Sequence, residues 1–420
     1  MNLPAVFHCV PFFILAAVAH TSCTQGSQAT KDRATLAPAA KVEINDTTPV
    51  EKESRNTNIA PAFAGQFRVK GVHTTTPYEI KILAEKIGNP WAVIPMPDGN
   101  LLITDKSGYL SIWSSEGKML KKITGLPQVM FKGQGGLLDV SLDPGFEQNK
   151  MIYWSFAEPQ GDKNLTAVAK GKLDDATSTI TNPIVIFRAT PALNSSLHFG
   201  SRIVFDHEGF LFVSVGERSI IEGRKQAQWL HSGLGKIFRI DKNGKAAPNN
   251  PFISRNDAMP EIYSYGHRNV QGIALQPGTG QLWAVEFGPK GGDELNLIEA
   301  GKNYGWPVIT YGEEYSGTSI GGSIGQKEGM EQPVYFWDPV ISPSGITFYS
   351  SDAIPEWKGN LFLGCLSGEH IDRLIISQNK VVGEERIASS LNQRFRDVTE
   401  MNGNLFAVTD AGLLIVVRKK

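Results

Sequence analysis

Cysteine is scarce in this chain, with three in 420 residues. Cys9 lies in an apolar N-terminal stretch and Cys23 just beyond it, which leaves Cys365 alone in the part that reads as folded. No intradomain disulfide is available, so the fold must be held by its core. Cys365, inside an apolar run, reads as a small buried hydrophobe rather than a nucleophile. Charge of one sign is equally scarce: 41 Lys and Arg offset 42 Asp and Glu, with no basic block. That balance removes the electrostatic case for nucleic acid or an anionic membrane surface. Also missing are a Walker A loop, a strand-anchored GxGxxG, HExxH, CxxC and the haem-attaching CxxCH, and GxSxG occurs (Gly317 to Gly321, Gly321 to Gly325) only in a Gly/Ser-rich stretch without the strand-to-helix elbow it needs. The common nucleotide, hydrolase and haem chemistries therefore have no signature here.

The apolar stretch from Ala5 to Ala19 is too short to span a bilayer comfortably. Small residues follow it, and residues 1–23 read as an export signal, although the first Lys is Lys31 and a positive n-region is absent. Cys23, after Thr21 and Ser22, resembles a bacterial lipoprotein acylation site, with His20 where an aliphatic residue is usual. Residues 24–64 are rich in Thr, Ala, Asn, Lys and Glu without periodicity, which predicts a disordered linker. Residues 65–420 are left as one catalytic domain. The expected location is outside the cytoplasm, periplasmic or lipid-anchored to a bacterial envelope.

Turn-forming residues are plentiful, with 43 Gly and 24 Pro. Six times a short apolar stretch enters a Pro/Asp/Gly-type turn and leaves as another apolar stretch. The clear copies are Trp91 to Asp105, Ile203 to Glu217 and Ile273 to Glu286; Leu137 to Phe156, Ile346 to Cys365 and Val398 to Asp410 are looser. Each is a β-hairpin signal. One hairpin cannot bury its own apolar face, so six related copies predict an all-β, six-bladed β-propeller. Its functional site is expected where blade loops converge on the central channel.

Four polar segments sit at predicted blade edges. His198, in Leu197 to Arg202 (LHFGSR), can serve as a general base; the plain reading is a satisfied loop histidine. Arg268 and Asn269, in YGHRNVQG, offer a planar fork and an amide suited to a carboxylate or quinone oxygen, or a tie between blades. Glu286 to Asn296 (EFGPKGGDELN) places loop carbonyls beside acids, the hard-oxygen setting Ca²⁺ prefers, or is a plain surface loop. Arg394 and Arg396, at i and i+2 of a strand, point the same way and face an anion or solvent. Gln134, in a Gly-rich entrance, is uninformative alone.

In order, GQGGLL, HFGSR, QAQ (Gln226 to Gln228), LGKIFRI, EIYSYGHRN, FGPKGGDELN, GKNYGWP and RFRDV make the chain resemble a known family. It is similar, from Asn89 to Asp410, to the soluble PQQ-dependent aldose sugar dehydrogenases of the glucose/sorbosone dehydrogenase family. The resemblance implies a six-bladed propeller that uses PQQ and Ca²⁺. Such an enzyme oxidises the anomeric hydroxyl of an aldose to a lactone, passes hydride to PQQ, and hands electrons to a separate acceptor. It implies His198 as catalytic base and Glu217 as the acid that orients it. Gln134, Arg268, Asn269, Arg394 and Arg396 would hold PQQ, and Arg268 would also stabilise charge on the quinone oxygen. Gly288 and Pro289 would offer carbonyls to Ca²⁺, and Glu294 and Tyr304 a further Ca²⁺ site. Relatives include monomers and homodimers.

Three positions depart from the pattern. Ser367 falls where glucose-oxidising relatives place a Lys. Asp338 and Val340 replace a Trp and a Thr set against the cofactor, where Asp338 would repel PQQ. Leu197 replaces a sugar-binding Asp. These departures keep open a non-catalytic sugar- or protein-binding propeller that has lost PQQ. A calcium-dependent lactonase-type hydrolase is also open, but it would need channel acids where this chain offers arginines.

Overall fold

A computed structural model describes residues 47–420. The expected signal at 1–23 and the linker up to residue 46 lie outside the described residues. Six four-stranded antiparallel sheets form the described chain. Blades I to VI open on Pro90–Pro95, Leu137–Leu142, Ile203–Phe205, Val270–Leu275, Pro343–Phe348 and Phe395–Met401. These opening strands touch their counterparts in neighbouring blades and surround an axial cavity of about 490 Å³. The chain is a six-bladed β-propeller, and each of the six expected hairpins is the inner hairpin of one blade.

Alternation along the strands is weaker than expected, for a packing reason. The second strands LLITD, LFVSV, LWAVE and LFLGC are buried at every residue. A blade sandwiched between two others has no solvent face, so its middle strands read as continuous apolar runs. Trp154 and Phe156 of blade II thus pack with Trp91 and Leu110 of blade I, and Trp283 of blade IV with Leu361 and Leu363 of blade V.

Blade VI closes the ring. Its fourth strand, Tyr78–Glu85, comes from the opposite end of the chain and pairs antiparallel with Leu413–Lys419, Ile80 facing Val417. The first and last strands of the propeller are then held in the same sheet.

Residues 47–64, expected to belong to the linker, are ordered against the propeller, and with 65–77 they form a strap. Asn56 and Thr57 bind the Asp338 carboxylate, and Glu51 pairs with Arg386. Further along, Gly71 bridges Glu384, and Thr75 and Thr76 donate to Glu356. Composition missed this because the strap is held by short polar side chains binding local acceptors, which leaves no apolar period.

Five of the six inner hairpins shift register near the start of their first strand, between Pro90/Val93, Leu137/Val140, Val270/Gly272, Pro343/Ile346 and Phe395/Asp397. Such bulges re-aim side chains at a sheet's end. Three of the four polar segments singled out above sit beside them; the His198 segment enters blade III, whose inner hairpin keeps its register.

Candidate active site

The loop entering blade III carries His198. Its backbone is left-handed at His198 (φ 48°), and Gly200 and Ser201 follow suit. The loop presses against the end of the next strand: a Cβ on Gly216 would fall 2.3 Å from His198 O, and one on Gly200 2.7 Å from Gly216 N. Only glycine fits at either place. This approach sets the buried His198 ring against Glu217, with Nδ1 3.0 Å from Oε1. The other Glu217 oxygen accepts from Ser219 N at 2.6 Å. A carboxylate only accepts, so the proton sits on Nδ1 and Nε2 keeps a lone pair. His198 N donates to Gln134 Oε1 at 2.7 Å, which brings the blade II entrance into the site. Burial, then the Arg268 charge, lowers the His198 pKa to about 4 against the pull of Glu217. The imidazole is neutral at pH 7 and able to take a proton.

Arg268 and Asn269 enter blade IV beside it. Arg268 N donates to Glu286 Oε2 (2.7 Å), Nη1 donates to Phe287 O (3.1 Å), and the guanidinium lies 5.2 Å from the Trp306 ring centroid. Asn269 Oδ1 accepts from Gly200 N at 3.0 Å, tying the two entrances together. Arg268 Nε and Asn269 Nδ2 are buried donors without a protein partner among the described residues. Buried donors rarely stay unpaired, so an acceptor-bearing ligand fits beside them.

Arg394 and Arg396 converge, though not by strand alternation: a bulge follows Phe395. They meet because Arg394 Nε and Arg396 Nε both donate to Asp410, at 3.1 and 2.9 Å. Lys106 joins this cluster, its ammonium donating to Gly133 O at 2.8 Å; burial and then Arg396 lower its pKa. No sequence motif marked Lys106, which follows the second strand of blade I.

The Gly288 turn is carbonyl-rich. A Cβ on Gly288 would meet Gly292 O at 2.2 Å and Gly291 O at 2.5 Å. Asp293 fixes the turn by accepting from Gly288 N, Ile341 N and Ser342 N. Next to it is a cavity of about 10 Å³, lined by Arg268, Gly288, Pro289, Glu294, Tyr304 and Trp306 among others, with room for one small ion or water. Glu294 is held well above the usual carboxylate range by burial and by Glu286, and Asn296 Nδ2 donates to both acids. The Tyr304 hydroxyl is turned away, donating to Leu297 O and accepting from Glu299 N, while its ring stacks on His267. Among the described residues no three His, Cys, Asp or Glu side chains form a metal cluster. A cation here would rest mainly on backbone oxygens, the hard donors of Gly288 and its neighbours.

The departing positions are placed plainly. Asp338 is buried under the strap, accepting from Asn56 N (2.8 Å), Asn56 Nδ2 (2.9 Å) and Thr57 N (3.1 Å). Its charge is therefore met by donors of this chain. Ser367 bonds Ser342 Oγ and Val340 O, and Leu197 is 40% exposed.

Sequence reading missed the group at the axis. Arg202, 4% exposed, pairs with Asp139 and Asp397, donates to Gln271 O and Arg396 O, and lies 4.1 Å from the Trp91 ring centroid. A Cβ on Gly345 would fall 1.6 Å from Asp397 Oδ1. One guanidinium thus ties together the entrances of five blades, and Gly345 of the sixth, blade V, packs against it. Its partners are scattered through the sequence, and only ring closure assembles them.

The sequence of residues 87–416 matches the glucose/sorbosone dehydrogenase family. An aldose sugar dehydrogenase of Escherichia coli (strain K12) is 41% identical over 335 residues, 79% of this chain and 90% of that protein. The apo-form crystal structure of the soluble aldose sugar dehydrogenase from Escherichia coli superposes with a TM-score of 0.78 at 40% identity, covering 82% of this chain and all of that one. The PQQ-bound aldose sugar dehydrogenase from Streptomyces coelicolor follows with a TM-score of 0.68 at 27% identity, over 82% of this chain and 99% of that one. With its propeller, its ordered motifs and a buried histidine–carboxylate pair at the entrance of blade III, the chain belongs to the glucose/sorbosone dehydrogenase family and is a sugar dehydrogenase.

Proposed function

We propose that this chain is a PQQ- and calcium-dependent dehydrogenase that oxidises an aldose at its anomeric hydroxyl to the lactone. The observation that carries the reading is the neutral His198, its Nε2 lone pair left available by Glu217, beside unpaired buried donors and a cluster of cations. PQQ is a planar tricarboxylate, and Arg394, Arg396, Lys106, Asn269 and Gln134 are the side chains that would hold it. When bound it supplies the hydride acceptor. A calcium ion on the Gly288 and Pro289 carbonyls would supply Lewis-acid polarisation. A further Ca²⁺ beside Glu294 and the Tyr304 backbone is part of the same proposal.

In the reaction His198 Nε2 takes the proton of the anomeric hydroxyl as hydride leaves the same carbon. Glu217 balances the imidazolium that forms, and Arg268 would steady negative charge on the quinone oxygen of the bound cofactor. With its carboxylate taken up by Asn56, Thr57 and, at 3.6 Å, Arg55, Asp338 offers less of the expected repulsion to a polyanionic cofactor, and Lys106 supplies a cation that Ser367 does not. With no haem-attachment motif in the chain, electrons pass to a separate acceptor. Export to the bacterial envelope belongs to the same reading, because the residues before 24 resemble a signal.

The test is reconstitution. Purified protein is titrated with PQQ in Ca²⁺, followed by absorbance, then offered a panel of aldoses with a reducible dye. Saturable binding with sugar-dependent dye reduction is expected. Folded protein that ignores micromolar PQQ in the presence of Ca²⁺ would overturn the cofactor assignment.

A further inference from the structure

The strap lies before the region matched to the family, yet one part of it reaches the Gly288 turn. One cation and three rings are stacked in series there. Arg55 lies 4.7 Å from the Phe67 centroid, Phe67 stacks on Phe336 at 4.8 Å, and Phe336 stacks on Tyr311 at 4.0 Å with planes 9° apart. Thr57 Oγ1 donates to Tyr311 O at 2.8 Å, and the Tyr311 hydroxyl donates to Gln332 Oε1 at 2.6 Å with Oε1 of strap residue Gln66 at 3.2 Å. Tyr311 is thus held by the strap at its carbonyl and flanked by it at its hydroxyl.

The segment so held is the one on which the turn rests. Lys290 and Glu313 exchange two backbone hydrogen bonds of 3.0 Å. A Cβ on Gly312 would fall 2.2 Å from Gly291 O and 2.7 Å from the Pro289 ring, and one on Gly292 2.8 Å from Tyr311 C. On the other side stands Asp338, whose Oδ1 lies 3.0 Å from where a Cβ on Gly291 would be. Asp338 in turn is fixed by Asn56 and Thr57, and its carbonyl accepts from Arg68. The turn therefore sits between two supports, Tyr311 to Glu313 and Asp338, and Asn56 and Thr57 grip both.

We propose that strap residues Asn56 and Thr57, with Asp338, are positioning residues that clamp the Gly288 to Gly292 turn and set its affinity for a divalent cation. The cation arm rests on the functional reading above; the clamp itself does not. Asp338, which the family pattern marks as a departure, is on this account the anchor for a segment outside the matched region. A turn whose carbonyls must converge on an ion gains affinity when its support is rigid, since less ordering remains to be done on binding.

The experiment pairs two strap variants in the full chain. Asn56→Ala/Thr57→Val removes the side-chain grip, Asn56 Nδ2 on Asp338 and Thr57 Oγ1 on Tyr311 O, and leaves the two backbone donors on Asp338 in place. Thr75→Val/Thr76→Val loosens the same strap at Glu356, whose partners do not include the turn. Hydrogen exchange of the peptide spanning 288–292 is read first, its amides being protected by bonds such as Gly292 N to Trp337 O. The first variant is expected to exchange about tenfold faster there, and the second at the wild-type rate. Calcium titration by calorimetry is read second, with about tenfold weaker binding expected in the first variant alone. If the first variant fails to fold, Thr57→Val alone is used, with the same expectation of sign. Unchanged exchange at 288–292 in a folded grip variant overturns the clamp. Equal acceleration in both variants also overturns it, because the effect would then belong to the whole strap. Faster exchange in the grip variant with no calcium binding even by wild type keeps the clamp and overturns the calcium reading.

Discussion

Replacing Glu217 with Gln changes one oxygen to an NH₂ and removes one charge. The wild-type carboxylate serves two donors at once: Oε1 faces His198 Nδ1 at 3.0 Å and Oε2 faces Ser219 N at 2.6 Å. A Gln can accept from only one side. If its oxygen stays with Ser219 N–H, its NH₂ faces Nδ1 and needs a lone pair there, which moves the imidazole proton to Nε2 and removes the base. If its oxygen faces Nδ1, a buried N–H is left against an NH₂. Either way the partner charge for the imidazolium is gone. A hydrogen bond to a charged group is worth about 1.5–3 kcal/mol, which corresponds to roughly 10- to 150-fold in rate. Tautomer reversal adds to this, and loss of general-base catalysis is worth about 10²- to 10⁴-fold. We therefore expect Glu217→Gln to lower kcat by about 10²-fold or more, with PQQ binding close to wild type because Glu217 faces no cofactor-holding side chain. The assay is dye reduction on the reconstituted variant beside an absorbance titration of PQQ. A kcat within about threefold of wild type in a folded, PQQ-saturated variant would refute the tautomer argument.

His198→Asn, chosen because Asn tolerates the left-handed backbone at this position, should abolish turnover while the PQQ titration is retained; turnover at the wild-type rate removes His198 as base. The folded pKa of His198, about 4, lies below its ordinary 6.5, so its contribution to stability is present above 6.5 and is lost as pH falls through 4. The acid limb of kcat/KM should accordingly lie near 4, and a limb at 6.5 in a pH–rate profile would contradict the burial argument. Arg396→Ala removes one charge-assisted partner and should weaken PQQ binding by roughly 10- to 150-fold, read by absorbance titration; an unchanged Kd would place the cofactor elsewhere. Gly288→Ala would put a methyl 2.2 Å from Gly292 O, so the turn must open, and calorimetry should report lost calcium binding in a protein whose Tm moves little.

The fold was legible because each inner hairpin carries its own local signal. Glycines such as Gly99 and Gly209, with φ near 80°, mark turns whose chemistry does not depend on the rest of the chain. The site was partly legible for the same reason. His198 with its glycine-tight loop, Arg268 with Asn269, and the Gly288 turn are each compact motifs within a few residues of a blade entrance.

What the sequence could not convey is pairing across long separations. Asp410 gathers Arg394 and Arg396 from the neighbouring strand, and Lys106 approaches them only because the first and sixth blades are adjacent once the ring closes. Arg202 meets Asp139 and Asp397 on the axis, and Asp338 meets Thr57 across 281 residues. Local propensity, periodicity and turn chemistry act over a few residues and so determined the hairpins, their number and the loops that bear the chemistry. Burial and charge compensation act in space. Only the closed propeller decided which cations stand together and that a polar, linker-like segment is bound to the fold.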